Sequence, residues 1–502
     1  MSTASDSVFL TDKRAFFETK PSHSYQDIVQ LAQKKQYRFL KEQQDVLEQE
    51  FAHLLEGLHK EKENKDIEIY WLYCYYCSEL LKNYYTAYGN QDKVNQYTSQ
   101  CEALLYRCQN GKFKEKVVQT PLPMGDQFLA DLNAIIHIPT RTSTLKKAVG
   151  SSSMLRLQVV FSRLTVKSSL LVLQELQWLE KLDQVLGRPT DIEGMVAVMN
   201  APAGILNVLS VGFFAARLLI NSAMILKHTF YPSKKEQDIT NWERFVRELS
   251  LRQYQLGNDL VWGTVNLLTN FTFVLQLSAP VASWLTSGFL VFDAAWLLVQ
   301  WVRSLKEYQI KRDQYLQEKQ ELLTGGVSEK DVKIQLLMHQ LQALEVEWTE
   351  KSASWLFCVG AAAFLLAGFT ATLLLTTPAA IPLFYLVCTL AVAMYFSAGQ
   401  FAEHQKQSCL LQQCQANNGS VALVTQQQEK QQQARNEFII AMIKNTVMPL
   451  LIVTTFAICW QAALVLTVLY IGYECSKKYR EDKPLKPAAP IEKLPAAASA
   501  AC

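Results

Sequence analysis

The sequence predicts an all-α polytopic membrane protein, with helical hairpins, amphipathic or coiled-coil connectors and an N-terminal helical domain. Three observations predict it. Residues 260–302 hold one charge, Asp293, in 43 positions, and residues 354–399 hold none. Between such blocks lie polar stretches with helical periodicity. No stretch shows the two-residue alternation of a half-buried strand. The mean hydropathy of +0.01 averages oily blocks with charged ones. A net charge of +3 on 502 residues is too small to imply a nucleic-acid partner. The start, MSTASDSVFLTDKRAFFETK, has no apolar h-region and is expected not to be a cleaved signal.

Residues 1–22 are expected to be disordered, and 23–194 to form an N-terminal helical soluble or peripheral domain. Within it Tyr37, Leu40, Gln44, Leu47, Phe51, Leu54 and Leu58 keep a 3-4 spacing, the seam of an amphipathic helix. Residues 66–88 are aromatic-rich and amphipathic, and Gly89-Asn90 ends them. A further helix covers 91–109.

The first apolar block, 195–226, carries Arg217 near its middle. An amphipathic connector (227–258) leads to a transmembrane hairpin (259–302), broken near Pro280. A coiled-coil-like connector (303–353) leads to a second hairpin (354–399), broken at TTPAAIP. A Gln-rich helical connector (400–446) precedes the last apolar block (447–473), and 474–502 form a Pro/Ala-rich tail expected to lack a core. A span needs about 20 apolar residues, so the hairpins give four spans and the outer blocks add two by length. The hairpin tips 278–282 and 376–380 lack Lys and Arg, whereas 227–258 has six and 303–353 has eight. The positive-inside rule puts the connectors on the cytoplasmic side. If both outer blocks cross, the N-terminal domain lies opposite the connectors; if neither crosses, everything polar shares one side.

Four groups of residues invite a functional role. Arg217 and Asp293 are ionised groups deep in oil, where each costs about 3 kcal/mol. They form either a structural pair or part of a solute pathway. Asn266 and Asn270 share a helix face and are expected to bond across helices. Arg156, Arg163 and Lys167 line one face of 154–173, as on a helix lying upon an anionic membrane, or as an ordinary solvated face. Ile334, Leu337, Leu341, Leu344 and Trp348 form a coiled-coil-type seam. Ala363, Ala367 and Ala371 form a small-residue ladder for close helix packing. Cys74, Cys77, Cys101 and Cys108 read as buried thiols before a metal site. No P-loop, nucleophile elbow, zincin motif or dinucleotide fingerprint occurs, so the chain is expected to be no enzyme and to need no cofactor or metal.

The run NWERFVRELSLRQYQLGNDLVWGTVNLLTNF (241–271) resembles a segment of uncharacterised multi-spanning coiled-coil membrane proteins of intracellular gammaproteobacteria that secrete effectors into host cells. The likeness lies in Trp242, the basic amphipathic helix, Asn258-Asp259 and the Val-Trp-x-x-Val-Asn entry to the span. It implies a bacterial inner membrane, or a host membrane after type IV secretion. The expected function is a membrane-anchored structural or interaction protein, with the lipid bilayer as one partner and proteins or further copies recruited through coiled coils. The alternative is a small-solute or ion transporter using Arg217 and Asp293.

Overall fold

A computed structural model describes residues 2–19, 25–60, 68–110, 142–176, 184, 192–231, 239–270, 278–324, 330–375, 377–416 and 421–458. The described residues contain no strand. Five helices form an N-terminal bundle: α1 (Ser2–Thr19), α2 (Tyr25–Lys34), α3 (Tyr37–Lys60), α4 (Glu68–Tyr88) and α5 (Gln91–Asn110). Seven longer ones follow: α6 (Thr142–Glu175), α7 (Ile192–Phe230), α8 (Asn241–Asn270), α9 (Ala279–Thr324), α10 (Lys330–Leu374), α11 (Ile381–Ala416) and α12 (Val421–Ile458).

The α3 seam is as the spacing predicts: Leu40, Leu47, Phe51, Leu54 and Leu58 are all buried. It packs on α4, whose burial extends all the way round. Tyr70 to Leu81 is continuously buried, so α4 is the central core helix, not an amphipathic surface one. Aromatic rings fill this core, with Tyr37 stacked on Tyr84 at 5.7 Å and Tyr85 on Tyr97 at 5.7 Å. Gly89 ends α4 at a φ of 76°, a left-handed conformation glycine adopts without steric cost. The Asn90 side chain then accepts from the Lys93 amide at 3.3 Å and caps α5.

Within 1–22, expected to be disordered, residues 2–19 are described and differ from that expectation. Ser2–Thr19 is a helix, and Phe9 and Phe16, two turns apart, are buried in the core. Phe16 stacks on Tyr76 at 5.0 Å. Its polar N-terminal composition hides a face that only α4 completes. The expected disordered tail, 474–502, lies outside the described residues.

Among the described residues four helices are long and apolar enough to cross a membrane: α9 and α10 over Pro280–Thr324 and Lys333–Leu374, α11 and α12 over Ile381–Ala416 and Val421–Thr455. The chain is thus a helical protein with membrane-spanning character. At 1.5 Å per residue the 46 residues of α9 reach about 69 Å, twice the hydrocarbon thickness of about 30 Å. Connector and span are therefore one unbroken helix. α9 and α10 lie antiparallel from Ser287–Thr370 (2.8 Å) to the Tyr315–Leu337–Leu344 cluster. Beyond the apolar layer α9 and α10 continue as a stalk, flanked by α11 and α12: Lys406 of α11 meets Glu350 at 3.0 Å, and Gln427 of α12 donates to Gln407 at 2.6 Å.

The hairpin breaks fall where the prolines put them. α10 ends at Leu374, a turn covers 378–380, and α11 starts at Ile381. Close packing there uses a different face from the predicted alanine ladder. Ala363 and Ala367 are exposed, while Ala361, Leu365 and Gly368 face α11. A Cβ at Gly368 would lie 3.0 Å from both the Phe384 carbonyl oxygen and Cys388 Sγ. The glycine, not the alanines, fixes the approach of the two helices.

α6 runs antiparallel to α11 within the apolar layer. Gln158 donates to the carbonyl of Asn445 on α12, and Thr165 meets Thr389 at 3.1 Å. α7 then returns beside α8: Phe214 sits against Gly263, and Thr229 accepts from Arg244 at 3.3 Å. These two passes bring the N-terminal bundle to the connector end of the molecule, where it packs on the stalk. Of the two arrangements that the charge pattern allowed, this contact matches the one in which everything polar shares one side.

Candidate functional site

Two polar zones stand out, one inside the apolar layer and one below it. In the first, Arg217 on α7 is not Asp293's partner. Its Nη2 lies 2.5 Å from Oδ1 of Asp259, which is 1% exposed. Asn221, one turn further along α7, donates to Asp259 Oδ2 at 3.4 Å. Asp293 on α9 instead accepts from Trp262 Nε1 at 3.3 Å and from the Tyr395 hydroxyl of α11 at 3.2 Å. The expected Arg217–Asp293 pair is corrected: both donors to Asp293 are neutral, and the arginine is already engaged one helix away. Asn266 donates to the Trp262 carbonyl, 2.7 Å away in its own helix. The side chain of Asn270 lies outside the described residues.

Asp259, Trp262 and Asn266 recur at three- and four-residue intervals, so one face of α8 carries them all. That face links α7 on one side to α9 and α11 on the other. Sequence reading missed Asp259 and Asn221 because Asp259 sits at the first position of an apolar run, where a carboxylate looks like a span boundary. The available signal was Asn258-Asp259 one turn before Trp262.

The basic residues of α6 do not lie apart on a surface. Arg163 and Lys167 are half-buried beside the apolar bundle, because the other side of α6, with Phe161, Ser162, Thr165 and Ser168, is buried against it. The Arg156 side chain lies outside the described residues. Cys74, Cys77 and Cys101 are buried free thiols, and no group of metal-ligating side chains occurs among the described residues. Burial pushes the Cys101 thiol up to about 12, so it stays protonated and unreactive at neutral pH.

The second zone is the dock between the N-terminal bundle and the stalk. Glu50 of α3, 1% exposed, is its centre. Lys13 of α1 lies 3.0 Å from it, the Tyr315 hydroxyl of α9 donates at 3.0 Å, and Gln340 of α10 at 3.3 Å. One carboxylate therefore joins four helices. Lys13 also meets Glu318 at 3.1 Å, and Arg14 meets Glu321 at 2.5 Å. Burial would raise the Glu50 carboxyl, but the Lys13 ammonium, the Lys311 charge and the Gln340 hydrogen bond together hold it below the usual carboxylate range. Burial likewise opposes the charge on Lys13, and Glu318 and Glu50 together overcome it and raise the amine. His53 Nε2 lies 2.9 Å from Glu347, and a Cβ at Gly57 of α3 would lie 3.4 Å from the His339 Cβ. A cavity of about 350 Å³ opens beside Lys13 and Glu50, walled by Phe17, Tyr70, Tyr73 and Lys333. In sequence, Gln43 and Glu50 stand seven residues apart beside the α3 seam. Both are buried, and that spacing was the legible sign of a second buried face.

The predicted coiled-coil seam is consumed within the stalk. Leu337 and Leu344 are buried against Tyr315, Leu341 packs on the same cluster, and Trp348 stacks on Tyr308 at 4.9 Å. Ile334, nearer the stalk end, is half-buried. The seam's partner is α9 of the same chain. The chain matches no protein-family model, no curated protein and no solved structure.

Proposed function

We propose that this chain is a membrane-anchored structural or interaction protein, whose N-terminal bundle is presented at a membrane by a stalk continuous with its spans. The Glu50 node carries the reading: one buried carboxylate fixes the bundle to helices that run unbroken into the apolar layer. Such a design transmits position between a protein surface and a bilayer. Partner proteins, or further copies, would engage the held bundle and the outer faces of the stalk, since the seam is occupied. The resemblance of 241–271 to effector-type membrane proteins adds a bacterial or host membrane as the place of action.

The test is cross-linking in native membranes with wild type and a double variant, Leu341→Lys with Leu344→Lys. Loss of the recovered partners or oligomers in the variant is expected. Unchanged recovery, with the stalk shown open by proteolysis, overturns the proposal.

A second reading, solute or ion transport, is favoured by one observation: the ionisable residues Arg217, Asp259 and Asp293 lie on neighbouring helices joined through one face of α8. Flux in reconstituted vesicles decides it. A flux that Asp293→Asn abolishes supports transport; a flux the variant leaves unchanged removes it.

A further inference from the structure

α8 carries a long apolar stripe that is exposed among the described residues. Trp242, Val246, Leu249, Leu260 and Leu267 are all exposed, Trp242 at 70%. At 100° per residue they fall within about 60° of one another. Gln253 and Thr264 are the polar positions on that face. The stripe runs about 38 Å from Trp242 to Leu267 at 1.5 Å per residue. α7 shows the same pattern: Leu219, Leu226 and Phe230 share one exposed face, with Tyr231 beside its end.

The membrane-side ends of both stripes lie in the apolar layer, level with Asp259, Trp262 and Asp293. Their other ends pass beyond it. Trp262 meets Asp293, so Arg303, ten residues on, marks a level near residue 252 of the antiparallel α8. Trp242 lies a further ten residues out, about 15 Å. The opposite face of α8 there is occupied, because Arg244 and Glu248 are buried and the Tyr88 hydroxyl of the bundle donates to Glu248 at 3.4 Å.

We propose that the α7–α8 pair leans so that this stripe, ending in Phe230, Tyr231 and Trp242, beds in the lipid headgroup layer and holds the N-terminal bundle against the membrane surface. The proposal rests on the membrane placement of the function above. Two features select lipid as the occupant. The stripe is continuous with the face that Leu219, Leu260 and Leu267 turn outward from the layer, and a bilayer with headgroups is about 40–45 Å thick, against about 30 Å of hydrocarbon. Its outer end also has the composition of an interfacial anchor, Trp and Tyr with Lys227 alongside. The lean is how a helix pair with too long an apolar face fits a bilayer.

The experiment places a photo-activated benzophenone amino acid at Trp242 or Val246 of the full chain, reconstituted in phosphatidylcholine–phosphatidylglycerol vesicles. Ile440, exposed in the apolar part of α12, serves as the lipid control and Gln91 as the water control. Lipid adducts at Trp242 and Val246, comparable in yield to those at Ile440, are expected. Adducts at Ile440 with none at Trp242 and Val246 overturn the anchor and leave the membrane placement standing. Protein dimers at Trp242 without lipid adducts overturn it in favour of a second copy. Absence of adducts at Ile440 as well overturns the membrane placement itself.

Discussion

The dock at Glu50 and the polar cluster at Asp293 both bury a carboxylate at a junction of helices, and they solve the problem differently. Glu50 gathers an ammonium and two neutral donors from three other helices, and its neighbours Lys13, Glu318 and Tyr315 are themselves linked. Asp293 has one indole and one phenol. The Arg217–Asp259 ion pair is separate from it, with Asn221 donating to the same carboxylate. Next to water, polar groups can be pooled into a network that keeps two bodies in register and still lets them part. Inside an apolar layer each polar group is given only the partners it needs. A dock built this way loses its ion pair in acid.

The comparison breaks most sharply if single partners are removed. Glu50→Ala leaves Lys13 buried beside Glu318 alone, and Arg217→Ala leaves Asp259 buried without its cation. Each is expected to cost about 3–5 kcal/mol. They differ in what fails: Glu50→Ala frees the N-terminal bundle to proteolysis while the apolar helices stay assembled, whereas Arg217→Ala lowers the melting temperature of the membrane part in detergent. Gly368→Val comes next. The added side chain meets the Phe384 carbonyl, which cannot step aside, and overpacking of about 1–3 kcal/mol or more should appear as loss of the α10–α11 hairpin in the same melt.

Asp293→Asn is expected to cost only about 1 kcal/mol, because an amide oxygen still accepts from one of the two donors. A loss as large as that of Arg217→Ala would mean that Asp293 does more than pin helices. The pH dependence sharpens the contrast further. Glu50 titrates below its usual range in the folded state, so its contribution is present above the unfolded value of about 4.3 and is lost as pH falls through the lower folded value. The raised Lys13 amine contributes below its unfolded value and is lost only in strong alkali. Fluorescence energy transfer between bundle and stalk should stay constant from about pH 5 upward and fall in acid. Trp242→Ala should change stability by no more than about 0.5 kcal/mol, since its ring touches little of the chain.

Much of the fold is written in local pattern. The prolines at 378 and 382 punctuate the second hairpin, the α3 seam names its own buried face, and the run into each hairpin predicts helices that pass from water into oil. What pattern cannot carry is which face meets which. Phe9 and Phe16 look like scattered apolar residues until α4 is beside them. The alanine ladder at 363–371 is real as spacing, yet Gly368, on a different face, makes the contact. The seam at 334–348 reads equally well as an intermolecular coil or as half of a stalk, and only Tyr315 decides. Arg217 was legible as a buried charge, but its partner, Asp259, was masked by its position at a span edge. The side of the membrane on which the N-terminal domain lies depended on α6, whose basic residues made it look like a surface helix.

The central claim is that the N-terminal bundle and the stalk lie together on one side of the membrane. The direct measurement is labelling by a membrane-impermeant thiol reagent on sealed and then permeabilised vesicles. Cysteines are introduced one at a time as Gln91→Cys in the bundle, Gln412→Cys at the end of α11 and Thr377→Cys at the hairpin tip, with accessible native thiols replaced. All three positions are exposed, unlike the buried native Cys77. The account predicts that Gln91→Cys and Gln412→Cys label from the same side and Thr377→Cys from the other. Labelling of Gln91→Cys together with Thr377→Cys would contradict it.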